Sequence, residues 1–129
     1  MNKIIVEVSI GELLDKISIL EIKQEKIKDP EKLKFISDEH SVLKDQLDQN
    51  VKSNNDIKSL FQSLKEINAK LWVIEDDKRQ CEKDKDFGEK FIKLSRDVHF
   101  LNDDRARIKL KINNHTGSQI KEIKEYTSY

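Results

Sequence analysis

Two groups of side chains in this 129-residue chain have the types and spacing for chemistry. Near the N-terminus, Glu12 and Asp15 form an ExxD pair, one helical turn apart on one face, as two carboxylate ligands of a magnesium ion would be. In the second half, Trp72, Glu75, Asp76, Arg96, Asn102 and Arg105 offer an indole to stack a planar ligand and polar groups to fix its edges. Each group also has a structural reading. Glu12 follows Ser9 at the capping-box spacing. Arg96 would pair with Glu75 or Asp76 beside a packed indole. Arg105 would pair with an acid of the first helix or the tail, from among Glu12, Asp15, Glu21 and Glu122. Other chemistries have no signal. His40, His99 and His115 lack ligand spacing, and Gly11, Gly88 and Gly117 are isolated, so no phosphate-cradling loop is present. A single cysteine, Cys81, excludes an internal disulfide and a cysteine-based zinc site. With no activated nucleophile, the residues favour binding over catalysis and imply no cofactor.

The elements that must position these groups are helical. Ser9-Ile10-Gly11-Glu12 predicts the start of a first helix, whose stripe Ile10, Leu13, Leu14, Ile17, Leu20 and Ile27 is joined by Ile19 and Ile22 on a second face. Burial on two sides follows. Asp29-Pro30 closes this helix and opens a second, with Leu33, Ile36, His40, Leu43 and Leu47 on one seam. Residues 50–56 (NVKSNND) are the clearest break. A third helix from about Asp56 to Cys81 and a fourth from near Asp86 to Ile112 carry long apolar seams, read as an antiparallel hairpin. A turn near residue 84 sets Ile57 against Ile112, Lys78 near Phe91, and Arg105 against Leu64 with no acid of the third helix in reach. Residues 4–8 (IIVEV) read as a short β-strand or extended arm that needs an edge from the tail or a second copy. Residues 113–118 (NNHTGS) read as a turn, and residues 113–129 as turn plus docked tail, with Ile120, Ile123 and Tyr126 suiting a short helix. The expected fold is all-α: one domain over residues 1–129, an antiparallel helical bundle with a long central helical hairpin, helices one and two packed along it, and an extended arm at residues 1–8.

Composition narrows the partners. Twenty-five basic and 25 acidic side chains give a formal net charge of +0, which speaks against a nucleic-acid binder and permits self-association, so a homo-oligomer joined through the IIVEV edge is expected. Aromatic residues make up only 6%, so the core must come from Leu, Ile and Val. No apolar run approaches the ~20 residues of a membrane span, and no signal-like stretch develops before Glu7. A cytoplasmic protein is expected.

Three stretches carry a family resemblance: VSIGELLDKISILEIK (residues 8–23), INAKLWVIEDDKR (67–79), and residues 91–126, chiefly NDDRARIKLKIN followed by GS and KEY. They resemble an uncharacterised family of short bacterial proteins, a domain of unknown function. The resemblance implies a setting beside glycosyltransferases and cell-surface polysaccharide. It picks out Ser9, Gly11, Glu12, Asp15, Lys16, Asn68, Trp72, Glu75, Asp76, Arg96, Asn102, Asp103, Arg105 and Asn113, many of them polar residues that bundle geometry does not demand. The ExxD pair is similar to the magnesium-binding pair of MazG-like all-α nucleotide pyrophosphatases, but the preceding ExxE helix is absent and Glu21 and Glu25 are spaced ExxxE. The expected function is a non-enzymatic interaction or small-ligand-binding protein, an accessory to polysaccharide or nucleotide-sugar metabolism. Its partner is a protein or an anionic small molecule such as a nucleotide. The alternative is a magnesium-dependent nucleotide pyrophosphatase using Glu12 and Asp15.

Overall fold

A computed structural model describes residues 2–129 and contains four helices: α1 (Ile10–Lys26), α2 (Pro30–Asn50), α3 (Asn55–Asp84) and α4 (Glu89–Thr116). Local chemistry sets their ends. The Glu12 amide donates to Ser9 Oγ at 3.0 Å, Asp29 caps α2 with Pro30 in the first turn, and the Ile57 amide donates to Asn54 Oδ1 at 2.9 Å. Lys85 (φ 57°) ends α3 in the left-handed region, and Gly117 (φ 67°) ends α4 there without a side-chain penalty.

The helices α3 and α4 form the expected antiparallel hairpin, and Lys78 Nζ lies 5.9 Å from the Phe91 ring as the register requires. Helix α1 packs against all three others and runs antiparallel to α4. Its Leu14 joins Ile57, Leu64 and Ile112 in the core, with Leu47, Val51 and Phe61 packed on the outside. Among the helices, α2 packs along α1 alone, so only one of the first two helices lies along the hairpin. No helix is long and apolar enough to cross a membrane.

Further sequence expectations fail in the N-terminal segment and in the tail. The strand at residues 4–8 does not form: no strand exists among the described residues, and Ile4 and Ile5 are each 90% exposed. An all-helical protomer has no sheet edge to offer this segment. The first residue of the expected arm, Met1, lies outside the described residues. The turn at residues 113–118 is likewise displaced, because α4 continues through Asn113 to Thr116. A tertiary contact overrides the local preference there: Asn113 Oδ1 accepts from the Gly11 amide at 2.7 Å. The tail forms no helix but lies back along α4, with Lys121 donating to Asn114 at 2.8 Å and Tyr129 to Asp103.

Candidate functional site: a buried charged layer and the cleft beside it

Gly11 brings α1 against α4. A Cβ at this position would stand 2.6 Å from the Lys109 carbonyl oxygen and 2.9 Å from Asn113 Oδ1, so only glycine permits the approach. The next α1 amide, Ile10, donates to Ser118 Oγ at 3.3 Å, which ties the start of the tail to the same turn.

One turn further along α1, Asp15 is only 1% exposed. Its carboxylate receives both prongs of Arg105: Nε donates to Oδ1 at 3.0 Å and Nη2 donates to Oδ2. Asn68 of α3 donates to Asp15 Oδ1 and to Ser18 Oγ, each at 2.8 Å, and Ser18 in turn donates to the Asp15 carbonyl at 2.8 Å. Every buried side-chain polar atom among the described residues has a partner. The Asp15 hydrogen bond holds the Arg105 guanidinium above its ordinary pKa, against the opposing effect of burial.

A second ion group stands one turn along α4. Buried Lys109 donates to Glu12 Oε2 and to Glu122 Oε2 of the tail, both at 2.6 Å, and lies 3.9 Å from Asp15. Burial pushes the ammonium pKa down, but the Glu12 and Glu122 hydrogen bonds outweigh it and leave the group above its usual value. The same contact holds the Glu122 carboxyl below the usual carboxylate range.

This layer answers the question raised by Arg105. Its partner is Asp15, one of the four acids the sequence offered. The layer also does not fit the magnesium reading of Glu12 and Asp15. Each carboxylate already faces a fixed cation, so a dication placed between them would meet Arg105 and Lys109 at close range. No cluster of three metal-ligating side chains occurs among the described residues.

Beside the layer, α1 and α3 enclose a cleft of about 340 Å³ lined by Ile19, Ile22, Asn68, Leu71, Trp72, Glu75, Asp76, Arg79 and Arg105. Trp72 is half-buried, while Glu75, Asp76 and Arg79 are exposed; none of these three charges is in an ion pair among the described residues. Arg105 Nη1 is left over from the Asp15 contact. The structure therefore brings together Trp72, Glu75, Asp76 and Arg105 of the predicted ligand set. Arg96 and Asn102 do not join them. Arg96 is nine residues from Arg105, which at 100° per residue places it on the opposite face of α4. There its guanidinium lies 5.9 Å from the Phe100 ring, in a groove shared with Phe91, His99 and Tyr129, and pairs with neither Glu75 nor Asp76. Asn102 is half-buried on α4 and lines no part of the cleft.

The sequence reading missed Arg79, Ser18 and Lys109. Arg79 follows Trp72 and Glu75 at seven and four residues, a same-face spacing that was available. Lys109 follows Arg105 by one turn, just as Glu12 precedes Asp15 by one on the antiparallel helix.

The fold and site define an all-helical protein in which one central helix is clamped to a long hairpin by a buried charged layer, with a polar cleft alongside. The chain belongs to a family of unknown function (DUF6165), whose profile matches residues 4–129. No curated protein and no solved structure matches it.

Proposed function

We propose that this protein is a non-enzymatic small-ligand-binding protein whose ligand occupies the cleft beside Trp72. The observation that carries the reading is the pairing of a half-buried indole with three charges, Glu75, Asp76 and Arg79, that form no ion pair among the described residues. Such a mixture suits one ligand class named by the sequence reading, a nucleotide or nucleotide-sugar. The base or sugar ring stacks on Trp72, the phosphate faces Arg79 and the free Nη1 of Arg105, and hydroxyls donate to Glu75 and Asp76. The buried Asp15, Asn68 and Ser18 network holds Arg105 and Asn68 in one geometry, which lowers the ordering cost of binding. The role follows the setting that the bacterial family resemblance implies: an accessory to polysaccharide or nucleotide-sugar metabolism, working in the cytoplasm.

Binding without turnover is the favoured form. Glu12 and Asp15, the carboxylates of the pyrophosphatase alternative, are each held by a cation and are poor candidates for a general base. Trp72 is the sole tryptophan, so its fluorescence reports the cleft alone. Titration with UDP-glucose in the absence of magnesium is expected to quench it, and Arg79→Gln is expected to weaken that response. The absence of any fluorescence or calorimetric signal at millimolar UDP-glucose would reject the proposal, and magnesium-dependent phosphate release lost in Glu12→Gln would replace it with the hydrolase.

A further inference from the structure

A larger groove than the Trp72 cleft lies elsewhere, between α3 and α4 at the end of α1. It measures about 630 Å³, and its apolar floor is Val73, Ile74, Phe100 and Leu101. Lys26 and Lys70 stand on its rim, and neither forms an ion pair among the described residues. The remaining charge there, Asp97, is already held by Lys93 at 2.8 Å. The groove thus presents an apolar slot with two uncompensated positive charges.

A complementary surface exists on α2. This helix packs along α1 alone and leaves Phe35 70% and Val42 61% exposed. The two are seven residues apart, about 10.5 Å along one face. At 100° per residue, Glu31, Asp38 and Glu39 flank that stripe within ~60°, against a single Lys32. The ion pairs of α2, Lys44 with Asp48 and His40 with Glu21, use none of these acids. An apolar ridge edged with free acids and an apolar slot edged with free lysines therefore occur on one chain.

Their placement decides the occupant. Lys26, the last residue of α1, is on the groove rim, and α2 begins four residues later at Pro30. Ridge and slot thus start from the same corner of the molecule, as a two-fold interface requires when two copies exchange identical surfaces. We propose that α2 docks its ridge of Phe35 and Val42 into the Val73 and Phe100 groove of a second copy, reciprocally, to make a homodimer. This groove shares no lining residue with the Trp72 cleft, and the proposal does not rest on the ligand-binding reading.

Sedimentation velocity of the full chain across the micromolar range is the test. The expected result is a dimer that weakens with added salt. Phe35→Glu on the ridge and Val73→Glu in the groove, both at exposed positions that leave the protomer fold intact, should each raise the dissociation constant by about tenfold or more. Reversing the ridge acids with Asp38→Lys and Glu39→Lys should dissociate the dimer, and adding Lys26→Glu and Lys70→Glu should restore it. A wild-type monomer at the highest concentration would overturn the proposal. So would a dimer that tolerates Phe35→Glu and Val73→Glu but is lost on deletion of residues 2–8, which would mark the N-terminal segment as the contact.

Discussion

Helices α1 and α2 are of similar length, 17 and 21 residues, and each carries an apolar stripe, yet α1 buries seven residues and α2 one. Hydrophobic periodicity is not what separates them. Helix α1 has small residues, Gly11 and Ser18, where α4 and α3 approach, and places Asp15 where both neighbours can satisfy it. It thereby makes three polar or apolar faces compatible with burial. Helix α2 offers a single seam, with Ile36 buried and His40 held by Glu21 at 3.2 Å, and charge around the rest. How deeply a helix is buried here depends on how many of its faces a partner can satisfy.

The sharpest way to break this contrast is at the charged layer. Arg105→Ala leaves the buried Asp15 carboxylate without its two-pronged partner and with only Lys109, 3.9 Å away, as a countercharge, and should cost about 4 kcal/mol of unfolding free energy in a urea titration. Arg105→Met should be nearly as damaging, because Asp15 at 1% exposure has no route to water. Adding Asp15→Asn to Arg105→Met removes the bare charge and should recover a substantial part of the loss. Equal stability of all three variants and the parent would mean that the layer contributes nothing.

Truncating one apolar residue on each helix measures the difference directly. Leu14→Ala, in the core, should cost about 3 to 4 kcal/mol, whereas Ile36→Ala, against a single neighbour, should cost about 2. A reversed order in chemical denaturation would refute the contrast. Gly11→Ala tests the close approach, since the new methyl meets a backbone carbonyl and should cost about 2 kcal/mol by overpacking, with Gly11→Ser no better.

The smallest effect belongs to the tail. Glu122 has its carboxyl lowered by Lys109, so the contact adds stability at pH values above the ordinary carboxylate range and loses it as pH falls through the lowered folded value. Because Glu122 is more than a third exposed, the gain should be below about 1 kcal/mol. The stability difference between the parent and Glu122→Gln should be flat at neutral pH and close below about pH 4. A difference that widened on acidification would carry the wrong sign for this contact.

Much of the frame is legible in the residues. Ser9, Pro30 and Asn54 mark helix starts by local chemistry, and the two long seams announce the hairpin. Arg105 could be recognised as needing an acid from another element because no carboxylate of α3 lies opposite it. The identity of that acid was open, since Asp15 lies 90 residues away and four acids met the same criterion. Arg96 was misplaced by treating α4 as a flat register when its nine-residue offset from Arg105 is half a rotation. The continuation of α4 through Asn113 was invisible locally, because the group that stabilises it is a backbone amide 102 residues upstream.

The long reach of these contacts has a consequence for how the chain is made. The bonds that seat α1 join Asp15 to Arg105, Gly11 to Asn113 and Ile10 to Ser118, with sequence separations of 90, 102 and 108 residues. On a ribosome adding roughly 10 residues per second, about nine seconds pass between the synthesis of Asp15 and that of its countercharge. During that interval α1 emerges from the tunnel with its α4-facing surface uncovered, and its docking waits for residues 105–118 to emerge. A nascent chain halted before residue 105 should therefore be cut readily by protease in α1, and one halted after residue 118 has cleared the tunnel should resist.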